Sequence, residues 1–159
     1  MSRTDLADNI CTIARAVELF GDAWSLMLLR EMFLRVRRFD ELQALTGASP
    51  ATLSQRLKRL EAAGVVRREA YSERPPRYEY RLTEMGRDLW PVLVAMKAWG
   101  DRWFAHTPQP VEIVHKGCGH KVMPRMVCPE CHEPMQAHDA EPRLSDEFRQ
   151  ERTRALEAS

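Results

Sequence analysis

The 159-residue sequence predicts a mainly α-helical fold that carries one small β-hairpin, an α+β arrangement. Apolar side chains recur at helical spacing through four segments between residues 12 and 63. Two alternating segments joined by a proline-broken tip follow, and a tryptophan-rich helical segment comes next. A short helix, a glycine turn, a capped helix and a hairpin in this order are typical of a winged helix-turn-helix.

The first three predicted helices provide the core. The first spans residues 12–20 and places on one face the apolar residues Ile13, Ala16, Val17 and Phe20. Asp22 is a favoured N-cap for a second helix, residues 23–34, which is apolar almost all round and is therefore expected at the centre of the core. The third helix covers Phe39–Leu45, with Leu42 on the same face as both of its ends.

The fourth helix is predicted after the turn at residues 46–48. Ser49 is a favoured N-cap, and Pro50 stands at the first helical position, where proline is favoured. The helix runs to about Ala63 and ends at Gly64. One face anchors it to the core through Leu53, Leu57 and Leu60.

The opposite side of this fourth helix carries the residue types that contact DNA. It presents Ala51, Thr52, Gln55, Lys58 and Arg59, flanked by Ser54 and Arg56 and preceded by Ser49. Arginine can bind guanine, glutamine can bind adenine, and a threonine methyl can touch thymine. Lysine and serine more often hold phosphates. No carboxylate interrupts this face before Glu61, so nothing at its centre would repel a phosphate.

The hairpin that follows is predicted from the alternating segments at residues 65–71 and 77–82. Its stiff tip, residues 72–76, contains two prolines that lie between Arg74 and Arg77, the residue after the tip, and we expect these arginines to enter a minor groove or to contact phosphate. Thr83 is predicted to cap one long final helix that ends near residue 105.

The charge distribution supports nucleic-acid binding by one region rather than by the whole chain. The formal net charge is only +1. Residues 56–81 nevertheless hold eight basic against four acidic side chains, and the chain after Pro134 is mainly acidic. A basic helix face is also common on surfaces that bind nothing. The prediction of DNA binding therefore depends on the glycine turn, the capped helix, the local basic charge and the hairpin occurring together.

The sequence contains no apolar run long enough to span a membrane and no visible signal peptide, so we expect a cytoplasmic protein without a membrane partner. It also lacks a phosphate-binding loop, a nucleophile elbow and a paired acid–base constellation. We therefore expect no enzymatic activity.

The cysteines suggest a metal site near the C-terminus. His115 and Cys118 form an H-x2-C pair, and Cys128 and Cys131 form a C-x2-C pair nine residues later. Such pairs can bind one structural Zn²⁺ with four protein ligands. His120 or His132 could replace His115, and free thiols in a segment packed on the main domain remain an alternative.

These elements resemble, in order, the HxlR-type branch of the MarR-like winged-helix regulators. The matching stretches are CTIARAVELFGDAWSLMLLREMF, RRFDELQALTGASPATLSQRLKRLEAAGVVRREAY and ERPPRYEYRLTEMGRDLWPVLVAMKAWGDRW, which cover about residues 11 to 103. The resemblance implies a homodimer that binds near-palindromic operators and usually represses transcription. It also puts Cys11 at a position where some relatives sense oxidants or electrophiles. The alternative for Cys11 is a small buried filler.

The sequence thus predicts a winged helix-turn-helix domain that binds DNA and dimerises (residues 1–106), a zinc-ribbon-like appendage (107–140) and a charged, flexible tail (141–159). The expected function is sequence-specific recognition of double-stranded DNA by a homodimeric repressor, with release by a small-molecule effector or by thiol modification. A two-fold dimer doubles the few base contacts that one helix can make. A winged-helix module that binds proteins without reading DNA is the alternative.

Overall fold

A computed structural model of the chain describes residues 4–7, 9–104 and 109–157. These residues form two compact units, which meet in the sequence between Leu93 and Val94. Among the helices in these ranges, none has the length and hydropathy that crossing a bilayer requires.

The first unit is helical with one antiparallel hairpin, as the sequence predicts. Its elements are α1 (Thr4–Ala7), α2 (Thr12–Phe20), α3 (Ala23–Phe33), α4 (Phe39–Thr46), α5 (Pro50–Ala62), β1 (Val66–Glu73), β2 (Pro76–Leu82) and α6 (Glu84–Arg87). The register pairs Val66 with Leu82 and Arg68 with Tyr80, so the apolar ends of both strands lie together beside the helices. The next helix, α7 (Trp90–Trp103), crosses the boundary between the units.

The core of the first unit lies around α3, as expected. Its fully buried large side chains are Leu28, Leu29, Leu42, Leu53, Leu57, Leu60, Val65 and Val66. Each such side chain contributes about 1.5–3 kcal/mol when it leaves water. The three leucines of α5 are among them, so that helix is held by its buried face while its other side stays in solvent.

The structure corrects the prediction of one long helix after Thr83. The Thr83 hydroxyl accepts the Gly86 N–H at 3.1 Å, but the helix that it caps, α6, is only four residues long. Pro91 has no N–H to bond the Arg87 carbonyl, so the hydrogen-bond ladder breaks and a new helix begins at Trp90.

Three apolar residues that were expected to face the core are exposed, namely Leu45, Val17 and Ile13, the last by 72%. Leu45 is 55% exposed, although Phe39 and Leu42 pack as predicted. Position 46, rather than 45, continues the face of these two residues, and Leu45 is turned about 100° away from it. On α2, Val17 is 51% exposed even though Phe20 packs against the core.

The second unit contains the end of α7, two small turns between residues 113 and 135, a 3-10 turn (Ala137–Asp139) and α8 (Asp146–Glu157). The sequence predicted no regular element in the tail, and α8 corrects this. The Ser145 hydroxyl accepts the Phe148 N–H at 3.2 Å and so caps the helix, and Arg149 pairs with Asp146 at 3.0 Å.

Candidate nucleic-acid interface

The position of α5 is set by a tight turn and a polar cap. Gly47 ends α4 with φ +71°, a left-handed conformation that glycine adopts without strain. The Ser49 hydroxyl then accepts the Thr52 N–H at 3.1 Å, and Pro50 begins the helix. This cap and the buried leucines fix which side of α5 faces solvent.

The outward face of α5 matches much of the predicted DNA-contact set. Ser49, Gln55 and Lys58 are exposed, whereas Thr52 and Ser54 are half-buried. The Thr52 hydroxyl lies 2.9 Å from that of Ser49, which leaves the threonine methyl as its free group. The face therefore offers an amide, an ammonium group and hydroxyls, which are groups that read bases or hold phosphates.

Arg56 and Arg59 are engaged within the subunit. The Arg56 Nε donates to Asp22 Oδ1 at 2.9 Å, and the Arg56 side chain is only 14% exposed. The Arg59 guanidinium pairs with the Glu18 carboxylate and donates to the Glu18 backbone carbonyl. In this structure both guanidinium groups therefore position α5, and DNA contact by Arg56 and Arg59 stays a prediction. The sequence pattern missed this because their partners lie 34 and 41 residues away.

Asp22 joins two helices through one carboxylate. Its Oδ1 accepts the Trp24 and Ser25 backbone N–H groups at 3.2 Å each, which caps α3, and its Oδ2 accepts the Ser25 hydroxyl at 2.6 Å. Burial raises the pKa of this carboxyl, but the bonds from Ser25 and the charge of Arg56 together hold the pKa below its ordinary value. Asp22 therefore remains ionised and links the start of α3 to α5.

The wing tip is basic and exposed. Arg74 and Arg77 are both exposed, and neither makes an ion pair to any of the described residues. The strands end closer together than predicted, with β1 reaching Glu73 and β2 beginning at Pro76. The two arginines thus remain available to an anionic partner.

In the β1–β2 hairpin, which forms the wing, several arginines outside the tip have partners within the hairpin. Arg67 pairs with Glu69 at 2.7 Å, and Arg81 pairs with Glu79 at 3.1 Å. The Arg68 guanidinium stacks over the Tyr78 ring, 4.0 Å from its centre. Part of the basic excess in residues 56–81 is thus balanced locally, and the cations without an ion pair to a described residue are Lys58, Arg68 and the two wing-tip arginines.

The sequence analysis missed a basic segment beside the hairpin. Arg38 forms an isolated bridge with Glu79, and the Tyr80 N–H donates to the Arg37 carbonyl at 2.8 Å. The connector before α4 thereby extends the two-stranded sheet. Both arginines are exposed, and Arg38 lies over the Tyr71 ring at 5.2 Å. The run RVRR was the available signal, but only the pairing with β2 brings it to the wing.

Comparison with known proteins shows the family to which this chain belongs. The family model described as HxlR-like helix-turn-helix matches residues 19–108, more than half of the chain. The chain belongs to the HxlR-like family. It is a transcriptional regulator with a helix-turn-helix DNA-binding domain and not an enzyme, as the sequence predicted.

The relatives of this HxlR-like protein agree with the assignment. It is 40% identical over 139 residues to an HTH-type transcriptional regulator of Mycobacterium tuberculosis, covering 87% of this chain and 88% of the relative. The structure of PA1607, a proposed transcription factor, has a TM-score of 0.76 at 32% identity and covers 88% of this chain and 97% of its own. The structure of the redox regulator HypR in its oxidized form has a TM-score of 0.54 at 35% identity and covers 58% of this chain and 96% of its own.

A cysteine thiol stands at the start of α2, before the residues that the family model matches. Cys11 is the N-cap residue of that helix and is half-buried. Its N–H donates to Asn9 Oδ1 at 2.8 Å, and its carbonyl accepts the Arg15 N–H at 3.2 Å. The side chain is thus neither fully buried nor fully exposed, which leaves it accessible to a small reagent.

The candidate metal ligands lie in the second unit as two pairs. His115 Nδ1 is 3.2 Å from Cys118 Sγ, and the Cys128 thiol receives hydrogen bonds from the backbone N–H groups of Cys131 and Glu130. These bonds, together with one from the Cys131 thiol, lower the pKa of Cys128. Within the described ranges, no three histidine, cysteine or acidic side chains converge on one point.

Proposed function

We propose that this HxlR-like regulator is a homodimeric repressor that binds a near-palindromic operator, with α5 in the major groove and the wing tip beside it. The observation that carries this proposal is the exposed, carboxylate-free face of α5 opposite its three buried leucines. A helix anchored in this way can enter a groove without disturbing the core.

Each exposed residue of this surface has a proposed contact. Gln55 binds a base edge, adenine being the best match for its amide, and Lys58 binds phosphate. The Thr52 methyl packs on thymine, while Ser49 and Ser54 bind the backbone. The wing-tip residues Arg74 and Arg77 enter the minor groove or bind its phosphates.

The dimer is supported by exposed apolar surface on two helices. On α2, Ile13 is 72% and Val17 is 51% exposed. At the end of α7, Trp99, Trp103 and the following residue Phe104 are each more than half exposed. Large apolar and aromatic groups at such exposure are typical of surfaces that a partner covers. Because a palindrome has two half-sites, a second copy of the chain would also supply the α5 helix that binds the second half-site.

Release from the operator is proposed to act through α2. Cys11 begins this helix, and an open groove along it is lined by Thr12, Arg15, Leu19 and Met85. The far end of the same helix contacts α5 through Glu18 and Arg59. A thiol modification or a bound effector that displaces α2 would therefore move the reading helix. The likeness to the redox regulator HypR supports the thiol route.

Sequencing of DNA fragments selected by the purified full-length protein tests this function. We expect an inverted repeat whose half-sites are about one helical turn, or a multiple of it, apart. Affinity for the selected site should fall steeply with salt, and Lys58→Ala should reduce the slope of log K against log salt by about two, one for each subunit of the dimer. Selection of no sequence, with weak binding to all fragments, would instead favour a module that binds proteins.

A reporter assay tests the sign of regulation and the switch. Expression from the selected promoter should rise when the gene for the regulator is deleted, and diamide should raise expression in cells with the wild-type protein. Cys11→Ser should bind the operator normally but should not respond to diamide. A diamide response that survives this substitution would eliminate the thiol route.

A further inference from the structure

We propose that the two turns of the second unit, between residues 113 and 135, form a zinc ribbon in which His115, Cys118, Cys128 and Cys131 bind one structural Zn²⁺. The inference concerns a different part of the chain from the DNA-binding surface and stands independently of the proposed function. It rests on two turns that share one backbone geometry, on the spacing of their side chains, and on the lack of another source of stability in this unit.

The first turn reverses the chain between Val114 and Lys121, which form an isolated bridge. The His115 N–H donates to the His120 carbonyl at 2.9 Å, and the Gly119 N–H donates to the His115 carbonyl at 2.8 Å. Gly119 has a left-handed φ of +72°. The result is a tight loop that holds its first and fourth residues, His115 and Cys118, next to each other.

The second turn repeats these features thirteen positions later. Val127 and Pro134 form the bridge, the Cys128 N–H donates to the Glu133 carbonyl at 2.9 Å, and the His132 N–H donates to the Cys128 carbonyl at 2.9 Å. His132 takes the left-handed position with φ +60°. A left-handed non-glycine residue is uncommon, so its occurrence here at the position of Gly119 indicates that the backbone geometry is required.

The repeated geometry identifies the fourth ligand among the three histidines. His115 occupies the position of Cys128 in the first turn, just as Cys118 occupies that of Cys131. A Cβ at Gly117 would lie 3.0 Å from the His115 ring, so the glycine leaves space for the imidazole to fold over the turn. His120 and His132 stand at positions whose counterparts, Glu133 and Gly119, belong to no ligand pair.

The distance within the first pair suits a tetrahedral ion. With bonds of about 2.3 Å to sulfur and about 2.0–2.1 Å to nitrogen, two ligands on one zinc lie about 3.6 Å apart. His115 Nδ1 and Cys118 Sγ are separated by 3.2 Å. One pair therefore provides two corners of the coordination shell with little change, and the other turn has the same geometry to provide the remaining two. Three thiols and an imidazole are the donor set that zinc prefers.

The second unit has little other means of remaining folded. Among its described residues, Val94 is the only buried side chain, whereas Val114, Met123, Met126 and Val127 are all exposed. A segment without an apolar core needs a crosslink or a metal for independent stability. Zinc binding would supply this energy directly.

Metal analysis of the full-length protein, expressed in zinc-supplemented medium and desalted, tests the inference. We expect about one zinc ion per chain. Cys128→Ser and Cys131→Ser should each lower the zinc content at least about tenfold, whereas Cys11→Ser should retain it fully. Zinc below about 0.1 per chain in the wild type, or full zinc in the Cys128→Ser/Cys131→Ser double variant, overturns the proposal.

Cobalt substitution tests the ligand set without depending on stability. Co²⁺ added to the metal-depleted protein should give the intense visible and near-ultraviolet bands of a tetrahedral site with three thiolates. His115→Ala should shift these bands, while His120→Ala and His132→Ala should leave them unchanged. Weak bands typical of an octahedral ion, or a shift caused only by His120→Ala or His132→Ala, would contradict the assignment.

Discussion

At the scale of single residues, exposure separates the side chains that can read DNA from those that orient the reading helix. Gln55 and Lys58 are exposed on α5, whereas Arg56 and Arg59 on the same helix are tied to Asp22 and Glu18. All four side chains are polar and would rank alike in a sequence pattern. Their different surroundings predict different consequences of truncation.

Truncation of Gln55 and of Arg59 should therefore affect different properties. Gln55→Ala is expected to weaken operator binding by about 1–3 kcal/mol, roughly 5- to 150-fold, for each half-site, at unchanged stability, because it removes a base contact only. Arg59→Ala should lower the free energy of unfolding by about 1–3 kcal/mol, because it leaves the half-buried Glu18 carboxylate and carbonyl without their donor. Fluorescence anisotropy and urea unfolding measure the two effects. Gln150→Ala, on exposed α8, is the matched control.

The ionised state of Asp22 gives a pH-dependent prediction. Its pKa is lower in the folded protein than in the unfolded chain, where it is about 3.9, so its contribution to stability is present above that pH and is lost as the pH falls through the folded pKa. Asp22→Asn keeps a helix cap but removes the charge that pairs with Arg56. We expect it to cost about 1–2 kcal/mol at pH 7.

Urea unfolding of the wild type and of Asp22→Asn between about pH 7 and pH 3 measures this contribution. The difference between the two proteins should shrink as the pH falls below about 4. A difference that stays constant over this range would mean that the variant acts through the cap and not through the charge.

At the scale of elements, two glycines hold the helix-turn-helix and the wing in place for different reasons. Gly47 has φ +71°, but a Cβ there would meet no atom within 4 Å. A Cβ at Gly86 would lie 2.2 Å from the Val65 carbonyl oxygen, at the point where α6 packs against the start of the hairpin. Backbone conformation thus restricts which residues can replace Gly47, whereas the lack of space for a side chain restricts replacement of Gly86.

The two positions should respond differently to substitution. Gly47→Ala is expected to cost about 1–2 kcal/mol, and Gly47→Asn less, because asparagine tolerates the left-handed region. Gly86→Ala should cost more than Gly47→Ala, since backbone atoms must move to admit the methyl group. Thermal unfolding of the three variants gives the order, and equal losses at Gly47 for alanine and asparagine would argue against a conformational cause.

At the scale of the whole molecule, the exposed aromatic face of α7 carries the proposed dimer. Trp103 is 60% exposed, and Trp99 packs its ring edge-on against Phe104 with centroids 5.1 Å apart. Trp103→Glu should weaken self-association by about 30-fold or more, because buried tryptophans dominate the energy of interfaces. Leu156→Glu, at 77% exposure on α8, is the control.

Light scattering over a range of protein concentrations measures this self-association. We expect a dimer for the wild type and for Leu156→Glu, and a shift towards monomer for Trp103→Glu. A wild-type protein that remains monomeric at all concentrations, in the absence of DNA, would contradict the dimer proposal.

The sequence alone determined those features that depend on neighbouring residues. The positions of α2 to α5, the cap at Ser49, the turn at Gly47, the leucines that anchor α5 and the hairpin all follow from local spacing and backbone preference. The family resemblance and the pairing of cysteines by short spacing were evident for the same reason. Local interactions between residues a few positions apart are the part of a fold that a linear pattern records.

Tertiary structure alone decided which charged residues of that pattern remain free. Arg56 and Arg59 are held by carboxylates from α2 and from the start of α3, and Arg38 is brought to the wing by pairing with β2. Tertiary packing likewise left Ile13 and Val17 in solvent. These outcomes depend on partners far away in the chain, because electrostatic and apolar contacts act through space and carry no signature in local spacing.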